Sequence, residues 1–199
     1  MPFVPHGKKA GQRRAGEVRR EADERVIARV VDRAQFAVRH APGRALPLCV
    51  LVERTLAREL PFAGYALVLG ALRVVPRGAA SDPISFDPRR SDGSAPGPGV
   101  LPANEAFHAW LETPRGRLLD PSLFPTLHAG GYHVEREGYV LAEGRDVVRF
   151  DLQLHYEELP ELSLVGVEES AEYLAKGISF IQKGFPLDLG ASSLGVAWG

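Results

Sequence analysis

Apolar residues recur along the chain with two different periods. Between Glu17 and His40, Val26, Val30, Ala34 and Ala37, flanked by Ile27, Val31 and Val38, return at steps of three and four, which predicts an amphipathic helix. "APGR" (41–44) ends it, because proline and glycine do not continue the helical ladder comfortably. A second helix is predicted from Leu46 to Leu60, with Pro47 in the first turn, where a missing N–H costs nothing, and Pro61 as the stop. "YALVLGALRVV" (65–75) is an almost unbroken apolar run of strand length, the pattern of a strand covered on both faces.

The stretch from Pro76 to Pro102 is rich in Pro, Gly, Ser and Asp and reads as a long loop bordering the segment that follows. "YHVEREGYVLA" and "VVRFDLQLHY" read as further strands; in the second, Val148, Phe150, Leu152, Leu154 and Tyr156 alternate with polar residues. A last helix is expected over "VEESAEYLAKGISFIQKG" (167–184), capped by Gly184 and followed by a Gly-rich apolar tail. The pattern divides the chain into a polar, disordered or loosely attached segment, 1–16, and a single domain, 17–199.

Composition narrows the class. The 199 residues are 45% hydrophobic and 25% charged, as in an ordinary globular protein, and the net charge of -1 gives no reason to expect nucleic acid as a partner. One cysteine, Cys49, allows neither an intramolecular disulfide nor a cysteine-based zinc site, and a reducing compartment fits it best. The opening residues lack the apolar core of a signal peptide and no run reaches the ~18 apolar residues of a membrane span, so the expectation is a cytoplasmic protein without a membrane partner.

The chemistry concentrates in "FHAWLETPRGRLLDPS" (107–122). In a strand Phe107, Ala109 and Leu111 share one face, and His108, Trp110 and Glu112 the other. The turn "TPRGR" suits a three-residue loop, Pro114-Arg115-Gly116, with glycine as the left-handed residue that closes it. That register puts Asp120 on the face of His108 as a diagonal neighbour, with Cβ atoms about 7 Å apart or less, within reach of a hydrogen bond. A two-residue loop would send Asp120 to the other face.

Cys49 falls in the first turn of the second helix, where the helix dipole and unpaired N–H groups favour a thiolate and an oxyanion. Cysteine, histidine and aspartate on separate elements supply a nucleophile, a base and a group that orients the base. "LPLCVLVERTLARELPFAGYALVLG" followed by "FHAWLETPRGRLLDPS" resembles the core of the transglutaminase-like superfamily, the papain-related cysteine enzymes, over roughly residues 45–125. The resemblance implies an α+β fold of the papain-like/transglutaminase-like kind, with N-terminal helices packed on a mostly antiparallel sheet, and a Cys49–His108–Asp120 triad. It implies cysteine-dependent hydrolysis or acyl transfer at an amide or related acyl bond of a peptide, protein or small acyl substrate, without a cofactor or a metal. Trp110 is a candidate substrate contact. The rival expectation is a non-catalytic binding or assembly protein that keeps the fold, with Cys49 incidental. His128, His133 and His155 show no short-spaced ligand pair, so a metal site built with them is disfavoured.

Overall fold

The computed structural model describes residues 7–38, 45–77, 83–90, 107–129, 132–160 and 162. The expected helix over 167–184 and the tail lie outside these residues. Helix α1 spans Gly7–Val38 and α2 spans Ala45–Glu59. Strand β1 (Ala66–Pro76) is followed by the short β2 (Ile84–Phe86) and a single 3-10 turn, Pro88–Arg90. Then come β3 (His108–Glu112), β4 (Arg117–Asp120), α3 (Leu123–Ala129), β5 (Val140–Glu143), β6 (Asp146–Arg149) and β7 (Leu152–Glu158). No helix among the described residues is long and apolar enough to cross a membrane.

All strand pairings are antiparallel, in the order β5-β4-β3-β1-β7-β6. One edge of β1 is shared: β3 pairs with its first half and β2 with Leu72–Val74, while β7 lines the other edge. β5 and β6 follow one another through Gly144–Arg145, so the ends of the sheet come together and it curls toward a nearly closed barrel. The architecture is α+β, with α1 and α2 on one face of an antiparallel sheet.

Strand alternation builds two cores. Leu69, Ala71, Ala109, Leu111 and Leu119 face the helices, where Ile27, Val30, Val31 and Ala34 of α1 and nearly every apolar residue of α2 cover them. Leu72, Val74, Trp110, Leu118, Val140, Leu154 and Tyr156 face the inside of the curl, together with Leu123, Phe124 and Leu127 of α3. β1 is thus buried on both faces, as its unbroken apolar run predicts.

Three expectations change. Helix α1 starts at Gly7, inside the segment read as loosely attached. Of "YHVEREGYVLA" only its last three residues, in β5 (Val140–Glu143), are strand. "VVRFDLQLHY" is a hairpin rather than one strand: β6 and β7 pair at Arg149↔Leu152 around Phe150-Asp151. A two-residue turn exchanges odd and even positions between faces. Val147 therefore joins Leu154 inside, while Val148 and Phe150, on the apolar parity of the sequence pattern, stay exposed.

Candidate functional site

The β3–β4 hairpin closes with the loop its residues predict. Gly116 sits at φ 77°, its N–H donates to the Thr113 carbonyl at 2.9 Å, and Thr113 N–H donates to the Arg117 carbonyl at 2.9 Å. Leu111↔Leu119 and Glu112↔Leu118 follow, and the resulting face brings His108 Nε2 to 2.7 Å from Asp120 Oδ2. Among the described residues the pairing does not extend past Leu111↔Leu119. In this split between the strands the Ala109 carbonyl lies 3.3 Å from both Cys49 Sγ and Ser122 Oγ.

Asp120 is fully buried and accepts five hydrogen bonds. Oδ1 takes Ser122 N–H (2.9 Å), Ser122 Oγ–H (2.9 Å) and Leu123 N–H (3.0 Å), which ties down the start of α3; Oδ2 takes His108 and the Tyr156 hydroxyl (2.9 Å). Burial alone pushes the carboxyl up, but the neighbouring His108 and the bonds from His108, Ser122 and Tyr156 outweigh it and hold the group below its ordinary range. An ionised carboxylate only accepts, so His108 Nε2 carries a proton and the lone pair of a neutral ring sits on Nδ1. Ser122 has one hydroxyl proton for two acceptors, and the shorter, charge-assisted bond to Asp120 takes it.

Cys49 is 0% exposed, and its thiol is pushed well above its ordinary value by burial first and then by the negative charges of Asp120 and Glu53, against a bond to Ser122. This reverses the expectation of a thiolate favoured at low pH. The dipole acts within the first turn and the unpartnered N–H groups are the first four, whereas Cys49 is the fifth residue of α2 and the burial is complete. The Sγ–H points to the Ala109 carbonyl; no hydrogen bond joins Cys49 to His108. The two lie against opposite faces of β3: Cys49 in the helix-side core, His108 beside the rings of Trp110, Tyr156 and Phe86.

Alkylation of native Cys49 by iodoacetamide is therefore expected to be slower than that of a free thiol at every pH between 7 and 9, and to reach the free-thiol rate on unfolding. Mass spectrometry with and without denaturant checks this. Because the native-state values of Cys49 and Tyr156 are raised, the stability linked to their protonated forms is complete below the ordinary thiol and phenol ranges. It is lost as pH rises above them.

Trp110, expected as a substrate contact, presents no surface to a substrate in this arrangement. It is completely buried, edge-on to Tyr156 at 5.3 Å between ring centres, with Nε1–H donating to Glu112 at 3.4 Å. The described part of the stretch read as a loop, 76–102, instead forms β2 and the 3-10 turn, and the Phe86 ring of β2 lies 5.5 Å from that of His108. His128 meets the Val134 carbonyl and His155 meets Asp146, both away from the pair. No group of three His, Cys, Asp or Glu among the described residues is placed to hold a metal ion.

Sequence reasoning missed Ser122, Tyr156 and Gln35. A tyrosine closing an apolar face needs a partner for its hydroxyl, which was the available signal for Tyr156. Gln35 carries no signal: its Nε2 donates to the carbonyls of Pro121 (2.7 Å) and Gly138 (2.6 Å), holding α1 to the chain just after Asp120. Compared with models of protein families, with curated proteins and with solved structures, the chain matches none.

Proposed function

We propose that the chain is a cysteine-dependent hydrolase or acyltransferase of the papain-like, transglutaminase-like kind, acting on amide or related acyl bonds through Cys49, His108 and Asp120. The observation that carries the reading is the buried 2.7 Å contact between His108 Nε2 and Asp120 Oδ2, with the Cys49 sulfur on the carbonyl of the very next residue, Ala109. Asp120 holds the tautomer that leaves Nδ1, the ring nitrogen nearer the backbone, as the base.

The reaction requires Cys49 Sγ to leave the Ala109 carbonyl and pass through the split between β3 and β4 to His108 Nδ1, where it gives up its proton. The sulfur attacks the acyl carbon, a C–S bond forms, and the protonated ring returns the proton to the leaving amine as the C–N bond breaks. Water or a second amine then takes the acyl group from sulfur. With both Cys49 and His108 out of contact with solvent, the arrangement corresponds to a resting state in which the thiol is kept neutral.

A second reading, a non-catalytic binding or assembly protein, is favoured by that same burial and by the absence of a Cys49–His108 bond. A peptidyl vinyl sulfone separates the two. Catalysis predicts labelling of Cys49 in the native protein, at least about tenfold slower in His108→Asn. A native protein that stays unlabelled, or labels equally fast without the imidazole, belongs to the second reading.

A further inference from the structure

One groove among the described residues, of about 420 Å3, lies between the turn of the β6–β7 hairpin and the segment ahead of β5. Phe124 of α3, Phe150 and Leu152 supply its apolar wall; Glu135, Glu137 and Asp151 supply carboxylates. Among the described residues none of these three carboxylates has an ion-pair or side-chain hydrogen-bond partner. The one guanidinium in the groove, Arg149, lies over the Phe150 ring at 4.7 Å rather than against an acid.

Phe150 is the anomaly. It is the first residue of the two-residue turn, it sits at φ 52°, and it is 68% exposed. Turn chemistry asks for glycine there, because a bulky side chain at positive φ is strained. An aromatic ring held out on a strained turn gains little from folding: its recorded packing is the edge-on contact with Phe124 at 6.1 Å and the Arg149 stack. Such strain at a surface position is the mark of a site whose residue serves contact with something else. Exposed aromatics that become buried on binding are the anchors of interfaces.

We propose that this groove binds a cationic, apolar peptide segment, one whose apolar side chains pack against Phe150 and Leu152 while its Arg or Lys side chains meet Glu135, Glu137 and Asp151. Three carboxylates facing one guanidinium select a basic occupant and reject an acidic one. The proposal does not require Cys49 to be reactive.

The test is fluorescence anisotropy with a labelled peptide alternating Arg and Leu and a matched peptide alternating Glu and Leu, each titrated with the full chain. The basic peptide is expected to bind, more weakly as salt rises, and the acidic one to bind at least tenfold more weakly. Phe150→Gly is expected to weaken binding of the basic peptide roughly tenfold while leaving the melting temperature unchanged or raised by about 2 °C, since the turn relaxes. Neutralising Glu135, Glu137 and Asp151 together to Gln, Gln and Asn is expected to cost about tenfold and to flatten the salt dependence. Glu17→Gln, on exposed α1, changes neither.

Equal binding of the two peptides, no binding of the basic one, or a Phe150→Gly variant that loses several degrees of stability and keeps its affinity would overturn the proposal. So would concentration-dependent dimerisation that Phe150→Gly abolishes, which would give the groove to a second copy of the chain.

Discussion

Gly70→Ala is expected to lower the melting temperature by roughly 10 °C or to prevent folding outright. A Cβ at this position would lie 1.9 Å from the Glu157 carbonyl oxygen of β7 and 2.8 Å from the Trp110 ring. The first clash is with backbone, so it is not relieved by a rotamer change; β1 and β7 must separate where Gly70 pairs with Glu158 on one side and His108 on the other. Overpacking of a core costs ~1–3 kcal/mol, and a clash between a side-chain carbon and a neighbouring backbone belongs at or above the top of that range. For a chain of this size that corresponds to the shift stated. Thermal unfolding followed by circular dichroism measures it, with Ala71→Gly, the neighbouring substitution in the opposite sense, as the control. A loss of less than about 2 °C would show that the two strands do not approach as described.

Asp120→Asn is expected to destabilise the protein by about 2–3 kcal/mol and to abolish the function proposed for His108. The amide keeps one acceptor oxygen where the carboxylate has two. Turned so that this oxygen still takes Ser122 N–H, Ser122 Oγ–H and Leu123 N–H, the new N–H2 group faces His108 Nε2 and the Tyr156 hydroxyl. The tyrosine accommodates this by rotating its O–H, whereas the imidazole must move its proton to Nδ1 and is no longer a base on the side it needs. Loss of the charge-assisted bonds accounts for the stability term. The wrong tautomer costs on the order of 10^4 in rate in other triads.

The pH dependence distinguishes charge from shape at this position. The native carboxyl is held below its ordinary range, so the stability it contributes is fully present above about pH 4 and is lost as pH falls through the native value. The stability difference between the wild type and Asp120→Asn should therefore shrink below about pH 4. A gap that stays constant down to pH 2 would assign the effect to packing alone. Nitrogen chemical shifts of His108 read the tautomer directly, and an unchanged Nε2–H form in the variant would remove the orienting role of Asp120.

The hairpin of β3 and β4 was legible because its information is local. Proline and glycine at their places in "TPRGR" select the loop, the loop sets the register, and the register alone decides that Asp120 joins His108. The same local logic failed one hairpin later. "RFDL" carries no glycine or proline at the turn, and the apolar alternation runs on through it, so a reversal looked like a continuous strand. The residue that breaks the rule, Phe150, is the one that now marks the groove.

Cys49 illustrates the other limit. A helix start predicts a favoured thiolate only if the helix end is open to solvent or faces a cation, and neither is encoded in "LPLCVLV". The sequence by itself determined α1 and α2, the doubly covered β1, and the turn that joins His108 to Asp120, all set by the period of apolar residues and by the few conformations that Pro and Gly permit. Only the tertiary structure decided that the split between β3 and β4 seats Cys49 against the Ala109 carbonyl and that Ser122, Tyr156 and Gln35 complete the polar cluster. Burial and charge at one atom sum over neighbours from every part of the chain, and that sum, not the helix dipole, sets the state of the thiol.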